Sequence, residues 1–167
     1  TAAKLDGKAI EEGNPGPGGD AKGKGTKTDP YNIAGAVAQN NSGAKAWVKA
    51  FIVGQVENGK MSMDATTCQF GDAIVHSETA NTNILIAASA TETDYTKCMP
   101  VQLLAGEVRN ALSVANNAAN VGKEVMIYGY LLKYFGTAGI KKEDADKQNF
   151  LMGAILDGRE IGDVNDN

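Results

Sequence analysis

The sequence predicts a mainly β domain: five strands closing a Greek-key barrel, a short N-terminal helix, and a second helix between the third and fourth strands. Three observations predict it. Two long stretches, "KAWVKAFIVG" from Lys45 and "KEVMIYGYLLKYFG" from Lys123, read as strands with apolar residues on both faces, where a half-buried strand would alternate apolar with polar. Short apolar runs bounded by polar turns supply further strands. The elements follow the order helix, long strand, strand, strand, helix, strand, strand. That order suits the OB-fold, a five-stranded Greek-key barrel.

Asp29 followed by Pro30 marks a helix start, with Asp as cap and Pro in the first turn. Ile33 and Val37, four apart, face the core, and Asn40, Asn41 and Gly43 end the segment. The first strand runs from about Ala46 to Val56, with Val48, Ala50 and Ile52 on one face. A small residue at Ala50 or Gly54 permits it to bend. Residues 57–80 form a long loop with a short strand around Asp72–His76. "TNILIAAS" is the second strand, with Ile84 and Ile86 inward, and "KCMPVQLL" the third, where Pro100 marks an edge or bulge. Residues 106–122 hold a short helix with Val108 and Leu112 on one side, then an Asn-rich turn. The fourth strand puts Val125, Ile127, Gly129 and Leu131 on one face and Met126, Tyr128, Tyr130 and Leu132 on the other. "FLMGAIL" is the last strand.

The 167 residues suit one domain with appended sequence, and the 43% hydrophobic content supports one core. The net charge is −4, which argues against a non-specific nucleic-acid binder. Residues 26–150 carry 11 Lys+Arg against 12 Asp+Glu, so the acidity lies towards the two ends. No apolar run is long enough to span a bilayer. Starting at Thr1 without a signal peptide, the chain reads as a mature or excised fragment.

Residues 1–28 read as a linker, rich in Gly, Pro, Asp and Lys over 11–28, that includes the tail of a preceding domain copy; 29–156 is the barrel domain and 157–167 a polar tail. The preceding copy is inferred from a repeat: "AKLDGKAI" at 3–10 matches "AILDGREI" at 154–161, at an offset of 151 residues. A tandem array is the expectation.

The segments "GTKTDPYNIAGAVA", "WVKAFIVG", "NTNILIA", "TDYTKCMPVQL", "VRNALSV" and "NVGKEVMIYGYLLKYFGTAGIK" together resemble an uncharacterised OB-fold domain family. That family occurs in secreted proteins and surface lipoproteins of gut-type Gram-negative anaerobes. The resemblance covers roughly residues 25–150. It implies an exported, cell-surface location and no known catalytic residues. The chain departs from the pattern at Ala50, where Gly is expected, at Thr137 and Ala138, where Pro-Gly is expected, and in "ANNAAN", which lacks a Pro.

No catalytic constellation, cofactor motif or metal site is expected. His76, the sole histidine, and Cys68 could act as base and nucleophile only if they met in space, and no oxyanion or nucleophile signature surrounds them. One histidine and two cysteines outside a CxxC pattern do not make a zinc site. Cys68 and Cys98 read either as two buried thiols or as a disulfide. Asp163, Asn165 and Asn167 begin like a calcium loop, but the rest of one is lacking, so a polar linker is the simpler account.

A ligand face, if there is one, is carried by the side of the first and fourth strands opposite the aliphatic set: Trp47, Lys49, Phe51, Tyr128 and Tyr130, with Lys133 and Tyr134 at the rim. Outward aromatics with one lysine suit single-stranded nucleic acid, and aromatics with Asn and Gln equally suit a sugar ring. The competing expectation, and the favoured one, is that the chain itself covers these side chains, through the loop 57–80 and the helix at 30–41. The function expected is a non-enzymatic extracellular binding or spacer module of a larger surface protein. Its partners would be glycan, protein or neighbouring domains of the same chain; the alternative is single-stranded nucleic-acid binding.

Overall fold

The computed structural model describes residues 19–77 and 81–165, together with the backbone of residues 4–5 and 8–9. Residues 78–80 at the end of the long loop, residues 10–18 of the expected linker and Asn167 of the calcium-like tail lie outside the described residues.

The elements in chain order are β1 (Lys4–Leu5), β2 (Lys8–Ala9), α1 (Ile33–Ala38), β3 (Lys45–Val56), β4 (Cys68–Phe70), β5 (Asn83–Ala87), β6 (Met99–Gln102), α2 (Glu107–Leu112), β7 (Glu124–Leu131), β8 (Ile140–Lys141), β9 (Gly153–Leu156) and β10 (Arg159–Gly162). β1 and β2 form a separate pair. The other eight make one sheet in the order β10-β9-β7-β8-β6-β5-β3-β4. An additional pairing of β7 with β3 closes five of them, β3-β5-β6-β8-β7, into a ring.

The core fills the ring as the alternation requires. Val48, Ala50 and Ile52 of β3, Ile84 and Ile86 of β5, and Val125, Ile127 and Leu131 of β7 all join one buried cluster. Ile33 of α1 and Val108 and Leu112 of α2 pack into the same cluster. β3 serves two partners because it bends. It pairs with β7 from Lys45 to Phe51 and with β5 from Phe51 to Gly54, and its register with β5 shifts between Ile52 and Gly54. Gly54 is where the bend is permitted: a Cβ there would sit 2.3 Å from the carbonyl oxygen of Gln69 on β4.

The structure differs from the sequence expectation at several elements. The strand that completes the ring is not "FLMGAIL" but the two-residue β8. It meets β6 in parallel at Val101↔Ile140 and β7 antiparallel at Leu131↔Ile140. The "GAIL" part of the last expected strand forms β9, which adds to β7 outside the ring through Val125↔Leu156 to Tyr128↔Gly153. β10 then folds back on it, where a polar tail is expected. The short strand of the long loop lies at Cys68–Phe70, not at Asp72–His76. The cap of α1 is Asn32, whose side chain accepts from the Gly35 amide, rather than Asp29. The backbone carbonyl of Asp29 instead gathers the amides of Lys24, Gly25 and Thr26 into a turn.

That turn lies in the part composition gives to a linker. Residues 25–31 run along the edge of β3 that β7 does not use. Trp47 N donates to Gly25 O at 2.8 Å, Tyr31 N to Trp47 O at 2.9 Å and Lys49 N to Tyr31 O at 2.9 Å. Backbone groups make the attachment, so a Gly-rich sequence suffices for it.

Candidate functional site

The outer face of the ring is covered in two zones. In the first, the segment from Glu57 onward crosses back over β3 and β5. Met63, Cys68 and Phe70 meet Val53, Val56, Leu85, Ala87 and Cys98 there, with Phe51, Tyr95 and Phe135 packed alongside. Buried polar groups fix this cover. Gln55 donates to Gln69 Oε1 at 2.7 Å and to Val75 O at 3.2 Å, while Asn83 receives the Val56 amide at 2.7 Å and donates to Val56 O at 3.1 Å.

The second zone holds the aromatic set. Trp47 is 0% exposed and Tyr128, its register partner on β7, is 8% exposed. Their rings are stacked, with centroids 4.9 Å apart and planes 4° from parallel. Lys27 places its ammonium 5.8 Å from the centre of the Trp47 ring and pairs with Glu160 at 2.7 Å. Lys45 lies 4.3 Å from the Tyr128 ring centre and 5.7 Å from that of Tyr130, and pairs with Asp163 at 2.5 Å. The segment after β10 therefore crosses this face. A Cβ on Gly153, opposite Tyr128, would stand 1.9 Å from the Asp163 carbonyl and 3.1 Å from a Val164 methyl. Only glycine lets the segment lie this close. The indole N–H of Trp47 is buried with no hydrogen-bond partner among the described residues.

The seven candidate residues thus separate. Trp47, Tyr128 and Tyr130 are brought together but buried. Phe51 is half-buried against the first zone, and Lys49 is exposed, 3.8 Å from Glu124. Lys133 is exposed. Tyr134 is half-buried on Phe135, ring centres 4.2 Å apart, and burial pushes its hydroxyl up to about 12. The cover on the aromatics comes from flanking segments near Lys27 and Asp163, which the sequence marks as linker and tail; the expected cover was the loop and the first helix.

A cleft of ≈ 340 Å³ lies open beside them. Half-buried Tyr31 and Phe51 lie in its wall with Lys22, Lys49, Asp29 and Glu124. Tyr31 escapes sequence reasoning because its aromatic signal stands alone, beside a segment read as linker.

His76 Nδ1 donates to the carbonyl of Val114 at 3.1 Å, with that of Ala115 at 3.3 Å. Cys68 and Cys98 are both free and buried. Burial, then the negative charge of Glu92, pushes the Cys98 thiol up to about 12; burial raises Cys68 too. Such thiols are protonated at neutral pH and poor nucleophiles. Among the described residues no group of three or more His, Cys, Asp or Glu could hold a metal ion, and no helix is long and apolar enough to cross a membrane.

No curated protein and no solved structure matches the chain. A family model does, over residues 31–149, from the Tyr31 edge of the cleft through the ring-closing β8. The chain, by that match across most of its length, belongs to the family described as domain of unknown function (DUF6359).

Proposed function

We propose that the chain is a non-enzymatic extracellular module of a larger surface protein, built as an OB-fold barrel and serving as a structural spacer. The observation that carries this reading is the covered outer face: Trp47 is 0% exposed. The ring order supports the OB-fold assignment. β3, β5, β6, β7 and β8 stand as its strands one to five, with the third and fifth meeting in parallel and α2 between the third and fourth. In that fold the face of strands two and three, with the loops joining strands one to two and four to five, takes the ligand. Here the one-to-two loop lays Met63, Cys68 and Phe70 over that region, and the four-to-five loop adds Phe135. The stacking surface a nucleic-acid strand needs is filled by the chain itself. The extracellular placement rests on the family resemblance.

A second reading has one observation in its favour. Tyr31 and Phe51, with charged neighbours, wall an open cleft of ≈ 340 Å³ that suits a saccharide ring. Titration of the intact chain with oligosaccharides, and with single-stranded oligonucleotides at low and high salt, separates the readings. The spacer predicts no saturable binding. A saccharide bound by the wild type and lost in Tyr31→Ala or Phe51→Ala would replace it with the cleft reading. An oligonucleotide bound at low salt and released at high salt would indicate phosphate contacts.

A further inference from the structure

The hairpin of β9 and β10 has a seat of its own on the sheet. β9 lies along β7 from Val125 to Tyr128, and the turn is Asp157-Gly158, with φ of 55° and 76°. Those left-handed values are what a two-residue hairpin turn requires, and Asp-Gly supplies them. Three of its side chains enter the main core: Ala154, Leu156 and Ile161, exposed by 0%, 4% and 1%. Ile155 is only half-buried, and Arg159 and Glu160 are exposed.

The repeat at residues 3–10 sorts itself by this burial. In sequence, Ala3, Leu5 and Ile10 repeat the three core residues, and Asp6-Gly7 repeats the Asp157-Gly158 pair. The three changes, Lys4 for Ile155, Lys8 for Arg159 and Ala9 for Glu160, all fall where the seat does not bury the side chain. The backbone pairing agrees as well. Lys4↔Ala9 and Leu5↔Lys8 in β1-β2 have the register of Ile155↔Glu160 and Leu156↔Arg159 in β9-β10. An accidental likeness has no reason to keep the buried and turn positions and release the rest.

We propose that residues 3–10 are a second donor hairpin for the seat on β7, and that the partner they fit is another domain of this same fold. One chain then carries two donors and one seat. The flanks decide which donor holds it. Gly153 and Gly162 correspond to Ala2 and Glu11. A Cβ at 153 would meet Asp163 O at 1.9 Å, and one at 162, where φ is +71°, would meet Met152 O at 2.5 Å. The C-terminal hairpin alone can therefore lay the Asp163 segment over Tyr128, so it keeps the seat within its own domain. The N-terminal donor serves the seat of a neighbour, a preceding domain or a second copy of the chain.

Two experiments on the intact chain test this. The triple variant I155K/R159K/E160A places the N-terminal sequence in the seat. It is expected to unfold in one cooperative step with Trp47 still shielded from quencher; loss of folding would overturn the proposal. L156K vacates the seat. Sedimentation is expected to show concentration-dependent association of L156K that L5K/L156K lacks, while L5K alone stays as the wild type. If L156K and L5K/L156K behave alike, residues 3–10 do not fill the seat.

Discussion

Trp47 on β3 and Tyr128 on β7 are register partners whose rings stack 4.9 Å apart on the outside of the five-stranded ring. Both are shut away from solvent by segments that flank the ring, one near Lys27 and one near Asp163. A strand with apolar residues on both faces is a strand buried on both faces. The second core of this small domain is made of chain that would otherwise be called connection.

Trp47→Ala should therefore act as a core truncation. The expected loss is about 3–5 kcal/mol, the range for a buried Trp or Phe cut to Ala. Urea unfolding checks it; a loss no larger than that of an exposed substitution would mean the indole is not buried.

Gly153→Ala tests the close approach of the C-terminal segment. A methyl at that position meets the Asp163 carbonyl at 1.9 Å, so the segment must lift off Tyr128. The expected cost is about 1–3 kcal/mol, accompanied by increased access of quencher to Trp47.

The Lys45–Asp163 pair is sheltered, with side chains 14% and 28% exposed. Its coupling in a double-mutant cycle of Lys45→Met and Asp163→Asn should reach or exceed the ~1 kcal/mol upper end of exposed pairs. The Lys27–Glu160 pair, 33% and 55% exposed, should couple more weakly in the same experiment.

Alkaline pH should destabilise the domain. Folding raises the Cys98 thiol from 9.0 to about 12 and the Tyr134 hydroxyl from 10.0 to about 12, each chiefly by burial. The native state then holds protons that the unfolded chain releases. The stabilisation is complete below pH 9, where the unfolded thiol is still protonated, and is lost as pH rises towards about 12. The urea midpoint should fall through this range, and Cys98→Ala should flatten the fall, leaving the part due to Tyr134, Tyr130 and Cys68, which burial also raises. At neutral pH both cysteines should resist thiol reagents until the domain unfolds.

Much of the ring was legible in the sequence because β3, β5 and β7 are apolar runs several residues long, and Val108 and Leu112 mark α2 by helical spacing. β8 was not legible. Two residues hold no period, and Ile140 is placed by its pairing with both Val101 and Leu131. β10 reads as tail because Arg159 and Glu160 face water and leave Ile161 as its only buried side chain. The attachment of residues 25–31 was illegible for a different reason: Gly25 and Tyr31 join Trp47 through backbone groups, which every sequence possesses. The aromatic set itself was legible as a set. Its burial depended on those two unreadable flanks.

Collisional quenching of the emission of Trp47, the sole tryptophan, measures the central claim most directly. A domain whose outer face is covered by its own chain predicts blue-shifted emission, resistant to quencher in the folded state and shifted to the red on unfolding in urea. Red-shifted emission quenched as readily in the folded as in the unfolded chain would contradict it, and would return Trp47 and Tyr128 to the surface as a ligand face.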